Sequence, residues 1–102
     1  MKHDKLVRDK IPEIIAKQGK RPVTHIAAKG EYDKRLREKL KEEATEFYAS
    51  GRPEELADVL EVVHALCKSI GISYESVEQT RVKKAEERGS FDKRIVLDEV
   101  QE

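Results

Sequence analysis

Tryptophan is absent from this 102-residue chain, and its aromatic residues are three Tyr and two Phe. Few large side chains remain for each structural element, so the core is expected to be completed by self-association, as a homodimer or higher homo-oligomer. Cysteine is nearly absent as well. A single residue, Cys67, excludes an intrachain disulfide framework and a cysteine-based zinc site, fits a reducing compartment, and reads as a small buried apolar side chain. Net charge is also lacking, because 21 basic and 21 acidic residues cancel. No overall field would steer the chain to a polyanion, so neither nucleic acid nor an anionic membrane is an expected partner. Finally, no apolar run approaches the roughly 18 residues of a membrane span, and the start MKHDKLVRDK is charged throughout. A soluble, cytoplasmic protein is expected.

What is present is charge and helical periodicity. Charged residues make up 41% of the chain and the apolar class 37%. The length suits a single domain, 1–102, and no repeat or linker divides it. Pro12 and Gly19 bracket a short helix from about Pro12 to Gln18. From about Glu31 to Ser50, Leu36, Leu40, Ala44, Phe47 and Tyr48 recur at steps of three and four, with Gly51 as a stop. Pro53 opens a second long helix, whose Leu56, Val59, Leu60, Val63, Leu66, Cys67 and Ile70 form a broad apolar face ended by Gly71. Ser73 is the expected N-cap of a third long helix reaching about Arg88. The β-branched residues around 22–28 and the run within 91–97 suggest a small β pairing. The predicted fold is all-α in the main, a helical bundle built on an antiparallel hairpin.

Acids sit on the wrong side of that hairpin. At about 100° per residue, Glu43 falls between Leu36, Leu40 and Phe47, Glu46 lies beside it, and Glu42 points further toward solvent. On the next helix Glu55 lies within the apolar arc, and Asp58 borders it beside Val62. The connection Ser50-Gly51-Arg52-Pro53 is tight, so the helices must lie antiparallel as neighbours. Glu46 is then about one turn before the bend and Asp58 about one turn after it, which sets the two pairs at one height. Four carboxylates converging at a partly buried place need a compensating cation. An oxygen-only ligand set suits Mg²⁺, with Mn²⁺ as a substitute. Helix-dipole preference for Glu54 and Glu55 in a first turn, and chance in so acidic a chain, explain part of the same pattern.

The strings Glu42-Glu43-Ala44-Thr45-Glu46 and Glu55-Leu56-Ala57-Asp58 resemble the E-E-x-x-E and E-x-x-D marks of the all-α nucleoside triphosphate pyrophosphohydrolases, the group related to MazG and to phosphoribosyl-ATP pyrophosphohydrolase. The opening KLVRDKIPEII and the late KKAEERGSFDKRI are similar to the small stand-alone, nucleotide-pool-cleansing branch of that group. The resemblance implies Mg²⁺-dependent hydrolysis between the α and β phosphates of a nucleoside triphosphate, giving a monophosphate and pyrophosphate. It implies metal ligation by Glu43, Glu46, Glu55 and Asp58, and a catalytic group of Glu42, Glu43 and Glu46. Phosphates need fixed positive partners, and the related signatures place basic residues at Lys84 and Arg88 of the third long helix and at Lys5, Arg8 and Lys10 of the opening segment. The competing reading, from a different class, is a non-catalytic helical dimerisation or regulatory module on the same scaffold.

Overall fold

The computed structural model describes residues 3–102, and among them it contains four helices and no strand. The all-α expectation holds. These helices are α1, Ile11–Lys17, α2, Lys29–Ser50, α3, Pro53–Ile70, and α4, Tyr74–Arg88. The chain groups into two compact units, the first ending at Gly71 and the second beginning at Ile72. No described helix is long and apolar enough to cross a membrane.

In the first unit, α2 and α3 are the two helices in extensive contact. Their antiparallel hairpin follows from a two-residue connection. Gly51 takes φ +66°, where a side chain would be strained, and donates its N–H to Phe47 O at 2.7 Å, closing α2. Arg52 is extended, and Pro53 occupies the first turn of α3, where its missing N–H has no helical partner to lose. Glu54 and Glu55 share that turn and complement the positive end of the helix dipole.

The apolar interior is small. Leu36, Val62 and Cys67 are the buried apolar residues, with Leu36 the most enclosed at 2% exposure. Val62 and Leu66 occupy the side of α3 that also carries Glu55, whereas Leu56, Leu60 and Ile70 remain about half exposed. In the second unit Ser73 caps α4, as its spacing predicts, by accepting the Ser76 N–H at 3.1 Å.

The β pairing of 22–28 with 91–97 does not form: neither segment is a strand, and Val23, Ile26, Ile95, Val96 and Leu97 are exposed. β-branched composition alone gives such short segments no partner backbone and no face to bury, and an isolated two-stranded ribbon is marginal in water.

Because so few apolar residues are enclosed, each carries a large share of the stability. Leu36→Ala is expected to lower the unfolding free energy by about 3 kcal/mol, read as a shift of the urea midpoint followed by circular dichroism at 222 nm.

Candidate metal centre

Glu43 stands on α2 about two turns before the bend, and Glu55 and Asp58 lie in the first two turns of α3. The hairpin folds these stretches against each other. One carboxylate oxygen from each of Glu43, Glu55 and Asp58 lies within 4.8 Å of the others. That separation matches the span of roughly 4 to 5 Å across which a hard cation, with metal–oxygen distances of about 2.1 to 2.5 Å, joins two ligands. Glu43 and Glu55 are each only 8% exposed, and Asp58 is half-buried.

Three cationic side chains offset the three acids. Lys39 Nζ lies 3.3 Å from Glu43 Oε1, Arg52 Nη2 donates to Glu55 Oε1 at 3.1 Å, and Arg8 Nη2 donates to Asp58 Oδ1 at 2.8 Å. Two of these are loosely held, since the Arg8 and Arg52 side chains are 56% and 63% exposed and such pairs contribute little in water. Lys39 differs, with its side chain only 16% exposed. One oxygen is left out of this arrangement. Glu43 Oε2 is buried and has no hydrogen-bond partner. An ionised oxygen in that state costs on the order of 1–3 kcal/mol or more, and a divalent cation among the three carboxylates would satisfy it. The residues present therefore fit an oxygen-bound hard cation.

The other residues expected at the site are distributed around this triad. Glu46 is exposed and is not one of the three residues whose oxygens converge, although one turn of helix keeps its carboxyl within hydrogen-bond reach of Glu43. It still senses the cluster. The charge of Glu43, then partial loss of water, then the charge of Glu55 push its carboxyl above the usual range. Glu42 behaves oppositely. Partial burial works against its charge, but hydrogen bonds from Lys5 at 2.9 Å and Lys39 at 3.3 Å outweigh this and hold its pKa below the usual value.

Of the basic candidates in the opening segment, Lys5 and Arg8 both reach the acids, by way of Glu42 and Asp58. Lys10 is exposed at the N-cap of α1. Lys84 and Arg88 belong to α4 in the second unit, where both are exposed and Lys84 borders a shallow groove with Ile72, Val77, Thr80 and Arg81. Sequence reasoning missed Lys39 and Arg52. Their spacings, four before Glu43 and three before Glu55, were the available signal, diluted by the many similar pairs in so charged a chain.

No family model, no curated protein and no solved structure matches this chain.

A cation that binds only the folded chain raises its stability by about 2.7 kcal/mol at a hundredfold excess over its Kd. Differential scanning fluorimetry should therefore show a higher Tm with MgCl₂ than with a chloride-matched control. In Glu43→Gln, which removes the most enclosed ligand charge, the Tm without metal is expected to stay within a few degrees of the parent and the Mg²⁺-dependent rise to collapse.

Proposed function

We propose that this chain is a Mg²⁺-dependent nucleoside triphosphate pyrophosphohydrolase that adds water across the α–β anhydride and releases a nucleoside monophosphate and pyrophosphate. The observation that carries the reading is the buried triad of Glu43, Glu55 and Asp58 with its unsatisfied Glu43 oxygen, set in a hairpin that bears both acidic strings. A bound Mg²⁺, or Mn²⁺ in its place, would neutralise phosphate oxygens and acidify a water molecule. The protein's own groups divide the remaining work. Glu46 makes no salt bridge among the described residues, and the charges of Glu43 and Glu55 disfavour its own, so it is the carboxylate we assign to accept the proton of the attacking water. Glu42, held ionised between two lysines, serves position and charge balance. Lys5 and Arg8 reach the acids from the opening segment, where they can exchange a carboxylate for a phosphate oxygen. Lys84 and Arg88 are further phosphate partners by the family likeness alone.

The same reading includes a second copy of the chain. On α3, Leu56, Leu60, Val63 and Ile70 recur at steps of four, three and seven, the spacing of a two-helix seam, and Leu56, Leu60 and Ile70 are about half exposed. A self-complementary seam of this kind fits a homodimer in the reducing cytoplasm, where Cys67 stays a free thiol.

Two experiments test these statements. Incubation with a panel of canonical and modified triphosphates plus Mg²⁺, followed by ³¹P NMR, is expected to give monophosphate and pyrophosphate without inorganic phosphate. Asp58→Asn should lower turnover by at least about a hundredfold while the fold is kept. Silence of the parent across the whole panel, phosphoribosyl-ATP included, removes the hydrolase reading. Light scattering is expected to give twice the chain mass, and Leu60→Lys, which puts a charge in the seam, to give a monomer.

A further inference from the structure

Beside the triad, between the opening segment and α2, lies a cavity of about 100 Å³ whose walls include Asp4, Lys5, Arg35, Lys39 and Glu42. The cavity is partly open to solvent and has room for a small ligand group. The wall is built. Arg35, mostly buried, donates from Nη1 to Asp4 O at 2.8 Å and from Nη2 to Asp4 Oδ1 at 3.0 Å, while its Nε reaches Glu31 at 3.3 Å. That fork holds Asp4 at φ +45°, a left-handed conformation that few non-glycine residues adopt, and so fixes the direction in which the next residue leaves. The next residue is Lys5, and its ammonium lands on Glu42 Oε1 at 2.9 Å.

Each of the three Arg35 nitrogens is thus turned to the scaffold, to Asp4 or Glu31, whereas the two lysines reach only the acids of α2. Each ammonium carries three donors. Lys5 is described with one contact, and Lys39 with two, at 3.3 Å to Glu42 Oε2 and 3.3 Å to Glu43 Oε1. The Glu42 carboxylate therefore sits between two ammonium groups, the position that a tetrahedral oxyanion takes when two cations grip it. Lys39 faces both ways, toward the cavity through Glu42 and toward the triad through Glu43.

We propose that Lys39 and Lys5 form a phosphate subsite that becomes available when a divalent cation replaces Lys39 on Glu43. This rests on the metal reading of the triad given above. Lys39 holds Glu43 through Oε1 and leaves Oε2 bare. A divalent cation taken up on Oε2 repels the nearby ammonium and draws off the carboxylate's charge, so metal binding weakens the Lys39 contact and favours its swing toward the cavity, where Lys5 already points. A phosphoryl group of the substrate's polyphosphate then takes the ammonium groups that Glu42 occupies when no ligand is bound. The result is a coupled pair of sites in which the metal promotes the anion and, by linkage, the anion promotes the metal. Lys39 is on this account a positioning and phosphate-binding residue, with the role of a stand-in counter-ion before the metal arrives.

The test uses the full chain, with Mg²⁺ and inorganic phosphate as probes in separate titrations followed by ¹H–¹⁵N NMR, including the lysine Nζ signals. In the parent, saturating Mg²⁺ is expected to tighten phosphate binding about tenfold or more, the worth of one charge-assisted contact. Lys39→Gln should shift the two affinities in opposite directions, with Mg²⁺ bound several-fold more tightly because no ammonium must be displaced, and phosphate bound about tenfold more weakly. Lys5→Gln, at a half-exposed position that does not threaten folding, should weaken phosphate about tenfold and leave Mg²⁺ affinity little changed. A parent chain that binds Mg²⁺ but takes phosphate with an affinity indifferent to Mg²⁺, Lys39 and Lys5 overturns the subsite and leaves the metal centre standing. Failure of the parent to bind Mg²⁺ at all overturns both. Loss of both affinities together in Lys39→Gln, with Lys5→Gln like the parent, assigns the lysine a merely structural role and also overturns the proposal.

Discussion

Mutual repulsion among three carboxylates at the closed end of a helical hairpin is the constraint around which the first unit is arranged. At an effective dielectric of about 20, two unit charges 4.8 Å apart repel by roughly 3 kcal/mol, and Glu43, Glu55 and Asp58 present three such pairs. The two-residue connection at Gly51 and Arg52 forces this approach, because it fixes how far α2 and α3 can slide past each other. Cations are accordingly drawn in from three directions: Lys39 from the same helix, Arg52 from the bend, and Arg8 from the opening segment. The placement of that segment follows from the same charges. Lys5 and Arg8 tie it to α2 and α3 respectively, with Arg35 and Asp4 as the anchor behind them.

Such a charged interior leaves little space for apolar packing. Leu36, Val62 and Cys67 are enclosed, while Leu56, Leu60 and Ile70 on the richest helix stay about half exposed. The acids occupy the part of the α2–α3 contact nearest the bend, so the apolar residues that might have filled it are displaced around α3. A helix with two apolar stripes, one turned to its hairpin partner and one turned away, is suited to pack on two neighbours at once. The chemistry proposed for the hairpin and the second copy proposed for the seam thus have one origin in how α3 divides its circumference.

Much of this was legible in the sequence, for physical reasons that differ from residue to residue. Gly51, Pro53, Gly71 and Ser73 marked the helix ends within a residue or two, because backbone conformation and capping are local properties. The inward turn of Glu43 and Glu55 was legible from helical period, since 100° per residue leaves no freedom once the apolar stripe is drawn. Glu46 and Asp58 were harder, as both lie at the edge of the stripe. The partner helix encloses Asp58 by half and leaves Glu46 in solvent, a difference set by side-chain direction that a wheel does not resolve. Lys39 and Arg52 were missed because a local ion pair acquires meaning only when its acid is buried by another helix. The segments 22–28 and 91–97 misled through composition: β-branched residues fit a pleated surface, and neither segment has one to join.

Salt bridges and a divalent cation are unequal solutions to the same electrostatic problem. Each of the three basic side chains reaches a single oxygen of its acid in the triad, and two of them do so from solvent, where screening makes the contact weak. A network of monodentate pairs therefore neutralises charge without filling the coordination that a buried carboxylate offers, and the bare Oε2 of Glu43 is the remainder. A small hard ion would meet one oxygen of each of the three carboxylates at once. Counter-ions that neutralise a site without completing it leave room for exchange, and the triad is on that ground a cluster that could hold an ion rather than a finished ionic core.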